Sequence, residues 1–299
     1  AHKEPSGMKS SASSEQGTPG RPAEIEAPTN RWLVHPVSRA IVDKLVTTRA
    51  TPNQVSAASV LAAAGGAASY LWIPRPVGPC IALLFLWLWH VLDGADGELA
   101  RRTGRASTNG ELVDGLCDHL SQLLIYLAFA LILSRQVGPI AWAVAAIAGL
   151  CHFVQANAYE SGRKSYRRWR YGATWMRQNL ASLERSGAIR GLLGRMYVRL
   201  SSTVSGGEEG VEEAMSRALG AGGERSEAAR LTYGNLLGPE VRASGLLDSN
   251  VRTVVGFLSL LVGSPIWYFL FEIVVLDLAL IWLGLWRARA NRRLVAELS

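Results

Sequence analysis

Four apolar stretches follow one another between residues 54 and 157, and a longer one runs over 253–286. A spanning helix needs about 20 largely apolar residues. Residues 54–73, 78–92 (continuing through a polar segment to Arg102), 112–134 and 138–157 are read as four such spans. The block at 253–286 is interrupted among charged residues only by Glu272 and Asp277. At about 1.5 Å per residue it is far longer than one crossing requires and slightly shorter than two usually take. Charge decides the count, because Lys and Arg gather on the cytoplasmic side of a span. Lys44 and Arg49 precede the first span; Arg101, Arg102 and Arg105 separate the second from the third. Arg163, Lys164, Arg167, Arg168 and Arg170 follow the fourth, Arg252 precedes the last block, and Arg287, Arg289, Arg292 and Arg293 follow it. The other two loops carry only Arg75 and Arg135. An even number of crossings therefore fits between Arg252 and Arg287, with Gly263, Ser264 and Pro265 as the hairpin point. The expectation is an all-α integral membrane protein of six transmembrane helices, both termini cytoplasmic.

The same distribution interprets the net charge of +7. Cations concentrated at span ends point to membrane lipid, not nucleic acid. Residues 1–30, rich in Ser, Gly, Pro and Glu, are expected to be a disordered tail. Residues 31–49 set Trp32, Leu33, Val37, Ile41, Val42 and Leu45 at helical spacing among charges, which suits an amphipathic helix at the interface. Residues 31–160 then hold that helix and spans one to four. Residues 161–250 read as a helical cytoplasmic insertion, and 251–299 as spans five and six with a basic C-terminal tail. Cys80, Cys117 and Cys151 lie in apolar segments without a CxxC pair, so they read as packing residues.

The chemistry concentrates where spans two and three meet the cytoplasm, in the string DGADGELARRTGRASTNGELVDGLCDH from Asp93. Asp93 and Asp96 are three apart and share a helix face; Asp114 and Asp118, four apart, share a face of the next. A loop over Arg102–Asn109 lets the two helices run antiparallel, so four carboxylates converge. A single Asp at mid-membrane costs about 2.5–3.5 kcal/mol on insertion scales, and mutual repulsion adds to that. Hard divalent cations held by oxygen ligands offset the penalty. Two such ions can clamp a pyrophosphate during an in-line displacement. Gly97, Ala100 and Gly110 leave room for a ligand against the helix backbone, and Arg101 offers a fixed charge to phosphate oxygens. Ion or proton translocation uses intramembrane carboxylates too and is the rival reading.

At these residues the sequence resembles the CDP-alcohol phosphotransferase family. Its signature is Asp, two residues, Asp-Gly, two residues, Ala-Arg, eight residues, Gly, three residues, Asp, three residues, Asp. Asp93, Asp96, Gly97, Ala100, Arg101, Gly110, Asp114 and Asp118 match every fixed position and gap. Pro52 and Asn53 look like the family's start to its first transmembrane helix. The insertion at 161–250 departs from the compact family pattern.

The resemblance implies a homodimer with magnesium or manganese, two ions, in a cytoplasm-facing cavity; the expected location is a bacterial inner membrane. Asp93, Asp96 and Asp114 would be metal ligands, with Asp118 as general base on the acceptor hydroxyl and a further metal contact. Asn53, Gly97, Ala100, Arg101 and Gly110 would meet the nucleotide and pyrophosphate of a CDP-linked donor. An alcohol acceptor would displace CMP, making a phospholipid or close relative. Family members use either CDP-diacylglycerol with a polar alcohol or a CDP-headgroup with a lipid alcohol. GELVDGLCDH resembles the choline/ethanolamine branch, whereas LDGADGELAR is similar to prokaryotic members that include those handling inositol phosphates. A phosphorylated acceptor would want cations, and Arg163, Lys164 and Arg167 are available, although they also serve as positive-inside anchors. Of His90, His119 and His152, His119 beside Asp118 is the best placed to take part.

Overall fold

The computed structural model describes residues 22–172 and 208–299; among them are helices and turns but no strand. Most of the expected disordered tail, and the amphipathic stretch holding Trp175, Met176, Leu180, Leu183, Leu192, Leu193 and Met196, lie outside the described residues. In chain order the helices are α1 His35–Leu45, α2 Pro52–Trp72, α3 Val77–Arg102, α4 Thr108–Val137 and α5 Ile140–Tyr171. They continue with α6 Glu208–Gly220, α7 Gly223–Ala243, α8 Ser249–Val262 and α9 Ile266–Leu298, the last containing a π-turn at Phe271–Leu276. Among the described residues, six helical segments are long and apolar enough to cross a membrane: α2, α3, most of α4, α5, the composite Gly223–Val262, and α9.

The start of α2 is fixed locally. Thr51 Oγ1 accepts the Gln54 N–H at 3.3 Å while Gln54 Oε1 accepts the Thr51 N–H at 2.9 Å, and Pro52 occupies the first turn where its missing N–H costs nothing. Inside the bundle, apolar attraction between helices is weak because lipid is as apolar as they are, so close packing has to supply the association. The small residues of α2 serve this. A β-carbon at Gly65 would stand 2.9 Å from the Phe85 ring, and one at Gly66 2.9 Å from Leu86. Phe129 of α4 then packs edge-on against Tyr70 and Tyr268 in the main core. Helix α1 lies on α3, where the Ser38 hydroxyl donates to the Val91 carbonyl at 2.7 Å and Val42 meets Ala95 and Leu99.

The last two membrane helices explain the awkward length of the 253–286 block. The chain turns at Gly263, with φ +116°, Ser264 and Pro265. Helix α8 begins at Ser249, earlier than the apolar block suggests, and follows a 3-10 turn at Ser244–Leu247. Helix α9 runs on to Leu298, so the basic segment after Trp286 is helix where a tail was expected. Ala290 and Leu294 are buried there against the α6–α7 pair, and that packing extends a helix whose charges alone suggest solvent. Arg252, counted in the sequence as a flanking cation, is 3% exposed. Its Nε donates to Glu272 at 2.9 Å and its terminal nitrogen to Gln155 at 2.7 Å. Gln155 in turn donates to the Glu272 carbonyl at 2.9 Å and to Asp277 at 2.6 Å. The two acidic interruptions of the apolar block thus belong to one network joining α5, α8 and α9.

At the polar end, α6 and α7 pack on the ends of α5 and α9 through Tyr166, Trp169, Val211, Met215, Tyr233 and Leu237. Arg287 reaches Glu240 with two guanidinium nitrogens, at 2.9 and 3.0 Å, and Glu240 is 2% exposed. It passes directly over Gly162, where a β-carbon would collide with the guanidinium. Removing one member of a buried pair typically costs about 3–5 kcal/mol, because the other charge is left without compensation. Glu240→Ala should therefore lower the thermal unfolding midpoint of the detergent-solubilised protein by several degrees, and an unchanged midpoint would show that the pair contributes nothing to stability.

Candidate active site

The five-residue link from Thr103 to Ser107 returns the chain from α3 to α4. Gly104 takes φ +67°, and Ser107 caps α4 by accepting the Gly110 N–H at 3.1 Å. The helices extend slightly further toward each other than the 102–109 loop read from the sequence. The turn brings the last two turns of α3 beside the first turns of α4. Ligand oxygens of Asp93, Asp96 and Asp114 all lie within 4.8 Å of one another. Asp118, one turn beyond Asp114, is within hydrogen-bonding reach of Asp93. Asp96 is the most buried of the trio, and its carboxylate accepts the Ser56 hydroxyl of α2 and the Gly97 N–H, each at 2.5 Å. A third helix thus orients the central carboxylate, through a contact between residues 40 positions apart that no helical spacing announces.

The cluster faces a cavity of about 1650 Å³. Asn53, Gly97, Ala100, Arg101 and Gly110 line it, as do Asp93, Asp96, Asp114 and Asp118. Among the described residues, and apart from the adjoining backbone of its own helix, no atom lies within 4 Å of a β-carbon built at Gly115, and one built at Gly97 meets the Arg101 guanidinium at 3.4 Å. The missing side chains therefore leave cavity space beside the carboxylates. Arg101 pairs with Glu98 at 2.8 Å and is 42% exposed at the side chain, so its guanidinium stays at the mouth, above Gly97. Helix α5 supplies a further wall. Ala145, Gly149, His152, Ala156, Tyr159 and Arg163 line the cavity at steps of three and four residues, the spacing of one helix face. Lys164 and Arg167 line it too, and with Arg163 they surround Glu160 at 3.6–3.7 Å. Three cations gathered on Glu160 thus give the cavity lining a basic cluster in addition to the acidic one.

The histidines divide by environment. His90 meets Thr253 at 2.8 Å and stacks on Trp89, and His152 lies 3.8 Å from Glu272, so both belong to helix packing as well as to the cavity wall. His119 uses Nδ1 on the Gly115 carbonyl at 2.6 Å, which leaves Nε2 facing outward from an exposed ring. Cavity residues that the sequence reading missed include Ser56, Tyr159, Asp248 and Asn30. Ser56, Asp248 and Asn30 have no spacing signal, because each acts through a contact distant in sequence, whereas Tyr159 sits one turn before Arg163 on the same face of α5.

The donor set suits a hard divalent cation. Magnesium prefers oxygen ligands at about 2.0–2.1 Å, so opposite ligands of one ion stand roughly 4 Å apart, and calcium-sized ions allow somewhat more. Three carboxylate oxygens within 4.8 Å are compatible with that spacing, so Asp93, Asp96 and Asp114 are the residues that would hold such an ion. Partners that orient a ligand typically change metal affinity 10–100-fold when removed. Ser56→Ala should therefore weaken manganese binding about tenfold, read by electron paramagnetic resonance of the free ion, while leaving the helical content unchanged; equal affinity would show that the 2.5 Å contact does not support the site.

Residues 49–175 match the family model described as CDP-alcohol phosphatidyltransferase. Two curated relatives align with parts of the chain. A bifunctional IPC transferase and DIPP synthase from Archaeoglobus fulgidus is 34% identical over 109 residues, 36% of this chain and 20% of that protein. An archaetidylinositol phosphate synthase from Aeropyrum pernix is 37% identical over 75 residues, 25% of this chain and 37% of that protein. The matched parts are thus well under two thirds of either relative. Both relatives are archaeal, and they lend no support to the bacterial inner membrane expected from the sequence. The family match contains the whole Asp93–Asp118 motif and the cationic end of α5, and stops before α6. At residues 49–175 the chain thus carries a domain of the CDP-alcohol phosphatidyltransferase family.

Proposed function

We propose that this protein transfers a lipid-bearing phosphate from a CDP-linked lipid to the hydroxyl of a phosphorylated polyol, releasing CMP on the cytoplasmic side. One observation supports the reading: an acidic cluster and a basic cluster line one and the same cavity, which is large enough for two substrates. The acidic wall suits a cation-neutralised pyrophosphate. The basic wall of Arg163, Lys164 and Arg167 suits an acceptor that brings its own phosphate. Leu123, Leu127 and Trp142 are exposed apolar residues that also line the cavity, which supports a lipid tail on one substrate. The Aeropyrum pernix relative, named as an archaetidylinositol phosphate synthase, supports an inositol phosphate-like acceptor. Family membership supports the CDP-linked donor.

In this reading Asp93, Asp96 and Asp114 hold the metal. The chemistry expected of magnesium or manganese there, as one or two ions, is charge neutralisation on the pyrophosphate and polarisation of the bond that breaks. Gly97, Ala100 and Gly110 admit the nucleotide against the backbone, with Asn53 and Arg101 at its edge. The N-terminus of α4 adds the partial positive charge of a helix start at Gly110. Arg163, Lys164 and Arg167 orient the acceptor phosphate so that its hydroxyl points at the donor. Asp118 takes the hydroxyl proton as the acceptor oxygen bonds to the lipid-side phosphorus, and that phosphorus releases the bridging oxygen with CMP.

The test offers purified protein, with magnesium or manganese, CDP-diacylglycerol or a CDP-headgroup donor together with free and phosphorylated polyols or diacylglycerol. CMP and lipid products are read by mass spectrometry. CMP should appear with CDP-diacylglycerol and a phosphorylated polyol, and a chelator should stop it. Asp118→Asn should lower the rate about a hundredfold or more while the protein stays folded and inserted. A folded Asp118→Asn protein with normal turnover would remove Asp118 as the base. Ion flux in liposomes without CDP-dependent chemistry would favour the transporter reading.

A further inference from the structure

Asp248 lines the same cavity as the acidic cluster and lies outside the residues that match the family model. It is 4% exposed, and both of its oxygens are occupied. One oxygen accepts the Asn250 backbone N–H at 3.0 Å and its side-chain N–H at 3.1 Å, capping α8. The other accepts the Tyr159 hydroxyl at 2.9 Å and the Asn30 amide at 3.1 Å. A carboxylate this saturated has little capacity left for a metal or a substrate. Its contacts reach three separate parts of the chain. Tyr159 belongs to α5, and its ring carries the Arg163 guanidinium at 5.2 Å. Asn30 belongs to the segment before α1, and its carbonyl oxygen also accepts from Asn250 at 2.6 Å. Upstream in that segment, Ile25 is buried among the α5, α6, α7 and α9 side chains, and the Glu24 carbonyl accepts from Arg242 at 2.7 Å.

We infer that Asp248 is a positioning residue for the acceptor site: through Tyr159 it fixes the Arg163 guanidinium toward the cavity, and through Asn30 it holds the N-terminal segment as part of the same wall. The inference rests on the phosphorylated-acceptor reading given above. The physical cause is the freedom of an arginine side chain. A guanidinium on a mobile stem loses rotamer entropy whenever it binds, whereas one already held over a fixed aromatic ring loses less. Leu247, Leu276 and Leu283 pack around the Tyr159 ring, and the hydrogen bond from its hydroxyl to Asp248 fixes where the ring's outer end sits. The two oxygens of Asp248 separate the roles: one starts α8, the other sets the wall.

Two variants isolate the second role. Tyr159→Phe keeps the ring and removes only the hydroxyl. Asp248→Ser keeps a side-chain cap for α8 and removes the oxygen shared by Tyr159 and Asn30. The full chain in lipid nanodiscs is titrated with inositol 1-phosphate and with glycerol 3-phosphate by calorimetry. CMP release with CDP-diacylglycerol is measured alongside. Loss of one hydrogen bond of this kind corresponds to about a fivefold effect. Both variants should raise the acceptor's Kd and KM about fivefold or more, leaving kcat and the donor KM within about twofold. Unchanged acceptor affinity in both variants overturns the inference. An equal rise in donor and acceptor KM with a lowered unfolding midpoint also overturns it, by marking a structural role alone. A wild-type protein that binds a phosphorylated polyol yet releases no CMP removes the transfer reading, and calorimetry then decides the inference by itself. Binding of neither probe to the wild type overturns both.

Discussion

Carboxylates gathered inside a membrane protein repel one another and lose hydration, and the arrangement of this molecule follows from keeping them together all the same. Asp93 and Asp96 sit on one helix and Asp114 and Asp118 on the next, so the tight link from Thr103 to Ser107 sets the distance between the pairs. The glycines of α2 let α3 approach closely, which brings Ser56 onto Asp96. Each element near the cluster either donates a hydrogen bond to it or leaves space beside it. The penalty of the cluster is what gives a bound cation its leverage: a site strained by its own charge gains most from neutralisation.

The same rule, that polar groups in a low-dielectric interior need partners, ties the segments beyond the family match to the matched domain. Arg252 and Glu272 are joined through Gln155 of α5. Arg287 and Glu240 meet across Gly162 of α5. Asp248 meets Tyr159 of α5. Two of these polar contacts bond directly to α5, the helix that carries the basic cluster, and the third lies against its Gly162. In a bundle whose apolar surfaces are indifferent to lipid, such contacts fix the angle and height at which α8 and α9 pack.

What the sequence disclosed was whatever repeats at a helical period or fills a bilayer. The steps of three and four between the aspartates set them on the faces of two adjacent helices, and apolar length marks the membrane helices. Charge is less legible, because its meaning depends on partners distant in the chain. Arg252 and Arg287 looked like anchors in the aqueous phase, but each has a buried acid as partner that lies 20 or 47 residues away. The end of α9 looked like a tail because its arginines conceal the few apolar residues that dock on α6 and α7. Asn30 and Asp248, 218 positions apart, offer no local pattern; only the closed fold makes them neighbours.

One feature of α5 has a metrical consequence. Ala145 and Arg163 both line the cavity and stand eighteen residues apart in one unbroken helix, five turns at 3.6 residues each, or about 27 Å. The helix acts as a ruler laid from hydrocarbon to water, with its graduations on a single side. Loops can lengthen without disturbing it, but one residue added between those marks would swing the cationic end by about 100° and advance it by about 1.5 Å. In the proposed reading, the depth at which a tail rests and the height at which a headgroup is met would be set by one rigid scale, and evolution could vary either end only in steps that preserve the turn.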